Sequence, residues 1–420
     1  MCISWGPPAG VPRLSGGSVQ FLLINQFYPP DLAPTGVYLH GLARALVERG
    51  HAVEVLCSRA SYMGVGRYPA HETRDGVVVR RVAALGRGKG SLPRRLADAA
   101  SSAALLAFAA TFRGPRPDVV LSLTSPPYVG LIGKLASSLR RARHAHWVMD
   151  LYPDVLDAHG WLRHGSLGFS LLGFLTRKQL EGSCLTLTLG PHMARSVGRY
   201  GPCAWVPLWG LDNTPAEDFP VLRKERGWQA SELVLMYSGN MGLGHRFAEF
   251  LEAARRLGPD GPRWAFVGGG ARRGEIEAFA RSHPSLPIDL LPHAPDSSLT
   301  DSLSSADVHL ASLDSGWQGL MVPSKIQASF SVGRPVIFVG GRENELAQWT
   351  SASGGGWVVD EEDVSGLLAA IDEARDGFER ARRGRAALAY AQEHFSAQQN
   401  LKRIADLVES LGTSLPGSLG

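Results

Sequence analysis

The chain has 420 residues, more than a single hydrophobic core usually serves and comfortable for two domains. Apolar residues make up 44% and charged residues 20%, a globular balance that excludes a disordered chain. The formal net charge of +4 suits phosphate-bearing ligands or an anionic membrane surface but is too small to argue for nucleic acid. Four cysteines (Cys2, Cys57, Cys184 and Cys203) have neither CxxC nor metal-ligand spacing and read as reduced thiols.

Residues 1–18, rich in Gly, Pro and Ser, lack the basic-then-apolar order of a secretory signal and read as a flexible leader. SVQFLLINQF (18–27) is an apolar strand run ended by the turn-rich YPPDLAPTG. VYLHGLARALVERG (37–50) carries helical spacing of Leu39, Leu42, Leu46 and Val47, with Gly50 as a C-terminal stop. HAVEVLCS (51–58) is the next strand, which completes a βαβ unit. GVVVRRV (76–82), DVVLSLTS (118–125), HAHWVMDL (144–151) and CLTLTLG (184–190) are further strands, with helices between most of them. No run of 18 apolar residues reads as a membrane span. The nearest segment is 97–112, ADAASSAALLAFAATF, preceded by Arg87, Lys89, Arg94 and Arg95. It reads either as a buried helix or as one that dips into the cytoplasmic leaflet with its cations toward anionic lipid.

The rhythm lapses at 207–228, where Pro, Asn and Asp cluster, and an interdomain linker is expected there. It resumes with ELVLMYSGN (232–240), followed by a helix to about residue 257. RWAFVGGG (263–270), IDLLPH (288–293), VHLASL (308–313) and PVIFVG (335–340) follow as strands, and 377–412 is helical and amphipathic. Strand and helix in alternation predict an α/β fold of two doubly wound Rossmann-like domains facing a central cleft. The expected division is 19–206 for the first and 229–394 for the second.

Three glycine-bearing strand ends carry the chemistry. QFYPPDLAPTG (26–36) places Thr35 and Gly36 at a helix start, where a ligand can approach the backbone closely; a simple proline-rich turn reads equally well. YSGNMGLGHRF (237–247) supplies Gly239, Gly242 and Gly244, with His245 and Arg246 expected in the first helical turn, a setting suited to a diphosphate. Gly268, Gly269 and Gly270 remove side chains from a third strand end. The most specific segment is GWQGLMVPSKIQASFSVGRPVIFVG (316–340): Pro323 and Ser324 offer a helix start, and Lys325 follows as a point charge for a phosphate. The alternative for Lys325 is a solvated first-turn residue.

PSKIQASFSVGRPVI, the SGN…H segment, NQFYPPDLAPTG and VMDLYPD (148–154) together resemble glycosyltransferase family 4, over about residues 20–410 and in the same order. The bacterial surface-polysaccharide branch, with its N-acetylfucosamine-type transferases, is the most similar. The resemblance implies a retaining enzyme of the GT-B fold that uses a nucleoside-diphosphate sugar, with UDP as the nucleotide and GDP left open, and no bound metal. Agreeably, the chain has no DxD motif. The resemblance puts Arg246 and Lys325 where the family supplies cations to the donor diphosphate. It puts the backbone of Gly319 and Leu320 near the donor sugar, with Gly239, Asn240, His245, Gly269 and Ser324 around the donor and His293 near the base. It also sets Asp150 at the end of a strand facing the reacting carbon, and returns the helix at 395–412 to the N-terminal domain. Two glutamates common in the family are replaced here by Leu320 and Ala328, and the usual Arg of the SGN region by Asn240, which leaves the ribose and sugar contacts unassigned.

The implied partners are a nucleotide sugar and a lipid-linked saccharide acceptor in surface-polysaccharide synthesis, in the cytoplasm with peripheral contact at the inner face of the cell membrane, and no nucleic acid. A soluble metabolite as acceptor stays open. Asp150 reads as a base, an acceptor anchor or a structural carboxylate, and His40 as a helix-surface or core histidine rather than a catalyst. An epimerase would need acid/base groups in 316–328, which that segment lacks. A non-catalytic sugar-nucleotide-binding protein is the remaining alternative.

Overall fold

Apolar strand runs joined by amphipathic helices build two parallel sheets in the computed structural model, which describes residues 17–31, 33–60, 68–83, 92–211 and 220–413. In chain order the first half comprises β1 (Gln20–Ile24), α1 (Pro34–Glu48), β2 (Ala52–Ser58), β3 (His71–Arg74), β4 (Val77–Val82), α2 (Leu92–Phe112) and β5 (Val119–Ser122). It continues with α3 (Val129–Arg140), β6 (Arg143–Trp147), α4 (Asp154–Ala158), α5 (Leu167–Leu180), β7 (Leu185–Thr188), α6 (Pro191–Gly198) and β8 (Cys203–Trp205). The second half comprises α7 (Val221–Arg226), β9 (Val234–Ser238), α8 (Ala248–Leu257), β10 (Arg263–Val267), α9 (Arg273–Ser282), β11 (Ile288–Leu291) and α10 (Leu299–Ser304). Then come β12 (Val308–Leu313), α11 (Lys325–Ser331), β13 (Val336–Gly340), α12 (Glu345–Ser353), β14 (Gly356–Val359), α13 (Val364–Glu373), α14 (Gly377–His394) and α15 (Ala397–Thr413).

The chain divides into two units. The first holds residues up to 157, 162–206 and 401 onward; the second holds 158–161 and 207–400. In the first, the strand order is β3-β4-β2-β1-β5-β6-β7-β8, parallel except for β3 against β4. Leu22, Ile24, Leu56, Val120 and Val129 form a core on one face of this sheet. The last helix contributes to the same unit: Arg49 pairs with Asp406 at 2.9 Å and His51 with Glu409 at 2.9 Å, with Ile404 and Val408 fully buried.

The second sheet runs β11-β10-β9-β12-β13-β14, all parallel. Its strands are apolar on both faces, as helices covering each side require. In β9, Leu235 and Tyr237 enter one core with Phe247, Phe250 and Phe266, while Val234 and Met236 enter the opposite core with Trp228. In each unit the strand order reverses direction once, between β1 and β5 and between β9 and β12. Doubly wound sheets bind ligands at the carboxyl ends of their strands at such a switch point.

Two expectations change here. The predicted linker at 207–228 contains α7, whose Arg223 pairs with Asp307 at 2.5 Å and donates to the Ser305 carbonyl; the clustered prolines conceal a helix packed into the second unit. The segment at 97–112 belongs to the longer α2, and it is neither wholly buried nor wholly exposed. Leu106, Ala109 and Ala110 are buried, while Leu105, Phe108 and Phe112 face solvent. Of the flanking cations, Arg87 and Lys89 lie outside the described residues, as do most of the leader and residues 212–219.

Candidate functional site

At the switch point of the second unit, three loops follow the carboxyl ends of β9, β10 and β12. The first two are zipped together by backbone bonds: Gly239 N–H donates to Val267 O (2.9 Å), Met241 N–H to Gly269 O (2.7 Å) and Arg272 N–H to Met241 O (3.0 Å). The zipper depends on glycine. Gly239 has φ +117° and Gly268 φ +124°, and a Cβ on Gly268 would run into the Gly239 carbonyl. His293, on the loop after β11, accepts from Gly269 N–H through Nε2 at 3.1 Å, so Gly239, Asn240, Gly269 and His293 lie in one patch.

Lys325 enters this patch as the first residue of α11. Its ammonium donates to the Asn240 carbonyl at 3.2 Å and sits 4.9 Å from the centre of the Tyr237 ring. A Cβ on Gly239 would lie 3.3 Å from Nζ, so the glycine gives the lysine its place. Tyr237 is fully buried and donates its own hydroxyl to the same Asn240 carbonyl at 3.0 Å. Among the described residues Lys325 has no carboxylate partner. Burial alone lowers its pKa to about 7. A desolvated ammonium without a counter-ion gains from an anion that restores its charge.

His245 is buried beside this lysine. Its Nδ1–H donates to Ser312 O at 2.6 Å, and burial, reinforced by the charge of Lys325, pushes its pKa down to about 3. It is therefore a neutral imidazole, with Nε2 left as an acceptor.

The structure corrects two site expectations. Arg246 lies before α8, not in its first turn, and its guanidinium is held by Glu249 (2.5 Å), Asp314 (3.1 Å) and Glu361 (3.5 Å). Three carboxylates share its charge, and the pairs brace the loops after β9 and β12 against each other. Gly36 is likewise not open to a ligand: it is buried, and a Cβ there would meet the Phe27 carbonyl at 3.0 Å. Its smallness lets the loop after β1 lie on α1.

Gly319 and Leu320 fall on the loop between β12 and α11, and Ser324 caps α11 without a side-chain hydrogen bond. Trp317 on that loop is buried, and its indole lies so close to Gly244 that a Cβ there would come within 2.8 Å. Tyr237, Trp317 and the carboxylates Asp314 and Glu361 were not singled out by sequence reasoning. A tyrosine two residues before the Gly239 turn is visible in the sequence, but its position under a lysine 88 residues later requires the fold.

In the first unit, Asp150 lies past the end of β6, and burial alone raises its pKa to about 6. Burial, with the charge of Asp150 added, pushes the neighbouring Tyr152 hydroxyl up to about 12. Tyr128 and Tyr152 stand with ring centres 6.2 Å apart beside it. His40 bridges two groups: it accepts from the Tyr28 hydroxyl at Nδ1 (2.9 Å) and faces Asp75 at Nε2 (3.2 Å). Since Tyr28 is buried, His40 anchors the loop after β1 rather than meeting a substrate.

Comparison with known proteins adds the family context. Residues 35–206 match the Glycosyl transferase 4-like domain. WbjE of Pseudomonas aeruginosa, named as a glycosyltransferase, is 26% identical over 274 residues, covering 63% of this chain and 67% of that one. WcaI of Escherichia coli (strain K12), whose name places it as a glycosyl transferase of colanic acid biosynthesis, is 23% identical over 376 residues, covering 85% and 92%. The structure of Anabaena HepE in complex with UDP-glucose superposes with a TM-score of 0.69 at 13% identity, covering 93% of this chain and 100% of that one. That likeness establishes the fold.

Proposed function

We propose that this chain, a glycosyltransferase of the GT-B fold with a glycosyl transferase 4-like N-terminal domain, moves a sugar from a UDP-sugar to a lipid-linked saccharide in surface-polysaccharide synthesis. The observation that carries the reading is Lys325: an ammonium with no counter-ion among the described residues, over the Tyr237 ring, at a glycine-lined switch point. A nucleoside diphosphate supplies the missing negative charge beside the glycine turns that join the loops after β9 and β10. HepE, with the same fold, is solved with UDP-glucose, which supports a UDP-sugar as the donor. WcaI, named as a glycosyl transferase of colanic acid biosynthesis, supports the biosynthetic setting.

In this reading Lys325 stabilises the charge that develops on the leaving diphosphate, a role whose loss typically costs on the order of 3 kcal/mol in the transition state. Neutral His245 accepts from a donor hydroxyl, and Gly319 and Leu320 offer backbone to the sugar. Transfer proceeds with retention, the leaving phosphate taking the acceptor proton or Asp150 assisting it as base. The diphosphate needs no resident metal when the Lys325 ammonium holds it, so chelation should leave the rate unchanged.

Thermal unfolding against a panel of UDP-, GDP- and dTDP-sugars tests the donor site. A ligand at 100 times its dissociation constant adds about 2.7 kcal/mol of stability. UDP-sugars are expected to raise the melting temperature, and Lys325→Ala to remove that shift and cut turnover by about 10²-fold with the fold intact. Wild-type turnover in Lys325→Ala would remove the donor-site assignment.

A further inference from the structure

We propose, on the strength of the glycosyltransferase reading above, that the exposed indole of Trp161 is a stacking platform for a pyranose ring of the acceptor saccharide. Residues 158–161 belong to the second unit, and two of them extend a stack of rings rooted on the loop after β12. The innermost ring is that of Trp317, which is buried and leaves no room for a Cβ on Gly244. The Trp317 carbonyl accepts from Leu320 N–H at 3.1 Å, so this residue is tied to the Gly319–Leu320 segment. The His159 imidazole stands edge-on to Trp317, with ring centres 4.6 Å apart and planes at 89°. The Trp161 indole then lies flat on His159, at 4.5 Å and 14°. Its other face meets solvent, and the residue is 71% exposed.

An exposed tryptophan by itself needs no explanation. Trp161 differs in being fixed. Gly160, with φ +70°, turns the chain after α4, and Leu162 N–H closes the turn on Leu156 O at 3.2 Å. Burial lowers the His159 pKa, so at neutral pH its ring is an uncharged aromatic partner for the indole. His159 Nδ1 is shut from water without a hydrogen-bond partner among the described residues, a cost to stability that asks for an explanation. The exposed face selects the ligand. An aromatic face is negative, and a pyranose presents a side of C–H bonds that carry partial positive charge. A ring held in place binds such a side with little rotamer freedom left to lose. A nucleobase is the poorer occupant: the patch of Gly269 and His293 lies on the loops after β10 and β11, whereas this stack is rooted on the loop after β12. Trp161 stands two ring contacts out from the residue tied to the donor-sugar segment, which is the place of a second saccharide ring.

The test labels the full chain with 5-fluorotryptophan and follows the fluorine resonance of Trp161, identified by its loss in Trp161→Phe. The probes are the methyl pyranosides of glucose, galactose, N-acetylglucosamine and fucose, added one at a time without nucleotide. At least one is expected to shift that resonance, with saturation transfer strongest to the C–H bonds on one side of its ring. Affinity for it should fall about tenfold or more in Trp161→Ala, and by less in Trp161→Phe, which keeps a ring. The side chain is already in water, so both variants should keep the UDP-sugar thermal shift, which reports their fold and the donor site. A Trp161 resonance that no pyranoside moves overturns the proposal, as does equal affinity in Trp161→Ala. So does a resonance that answers to a UDP-sugar instead, which would give the ring to the donor, or to protein concentration, which would give it to a second copy. A missing UDP-sugar shift beside an intact pyranoside response would strike the donor-site reading and leave the sugar platform standing.

Discussion

At the scale of single residues, two perturbed groups carry opposite consequences. The folded pKa of Lys325, about 7, lies below the ordinary 10.5, so between these values the unfolded chain binds more protons. Stability therefore rises with pH across that window, and the full cost of the buried charge is felt below it. A bound diphosphate reverses the balance by holding the ammonium charged. The affinity for a UDP-sugar, whose diphosphate does not titrate near neutrality, should weaken by up to about tenfold per unit above about pH 7. Lys325→Arg stays protonated throughout and should flatten that slope, as calorimetric titrations between about pH 6.5 and about pH 9 would reveal. A wild-type slope in the arginine variant would show that another group titrates.

Asp150 poses the complementary case. Its pKa of about 6 means that the folded state holds a proton the unfolded state has released, so stability falls as pH rises from 3.8 through 6. Asp150→Asn should then melt higher than the wild type at pH 7. If the carboxylate is a base, kcat should also fall by about 10²–10⁴, and the rise of rate through about pH 6 should vanish. A variant that melts higher but turns over normally would leave Asp150 a buried structural acid.

At the scale of elements, the glycine turns decide whether the donor patch exists. Gly268→Val must force a β-branched residue to φ +124° and a Cβ into the Gly239 carbonyl. The strain alone should cost about 1–3 kcal/mol. Parting the loops after β9 and β10 should weaken UDP-sugar affinity beyond what a similarly destabilised core variant shows, and unfolding and titration curves measured together separate the two effects. Long apolar strand runs such as β1, β2, β9, β12 and β13 were legible from the sequence, because burial on both faces writes an unbroken hydrophobic run. The strands β3 (HETR), β8 (CAW) and β14 (GWVV) were not, being short and at or near sheet edges, where neither alternation nor length marks them. At the site, the glycines and Lys325 announced themselves by type and spacing. What remained hidden was pairing across the chain: Arg246 looked like a free cation until the fold brought Asp314 and Glu361, 68 and 115 residues away, against it.

At the scale of the whole chain, stability and ligand response are housed in different places. The C-terminal helix α15 begins in the second unit, where Asn400 donates to the Pro207 carbonyl at 3.2 Å, and ends in the first. There Ile404, Ala405 and Val408 are fully buried, and Asp406 and Glu409 hold Arg49 and His51. The first unit thus completes its core with residues that follow the second unit in the sequence. Ile404→Ala should cost it about 2–5 kcal/mol through the lost methyls and the cavity they leave. Every group assigned to the diphosphate, by contrast, lies between residues 237 and 325 in the second unit. The variant should therefore melt lower yet gain the same increment from a saturating UDP-sugar, because ligand stabilisation depends only on binding to the folded site. Calorimetry of Ile404→Ala with and without UDP-sugar makes the comparison. An increment that vanishes along with the lost stability would mean that the donor site needs the first unit's core to form, and Lys325 alone would then no longer account for donor binding.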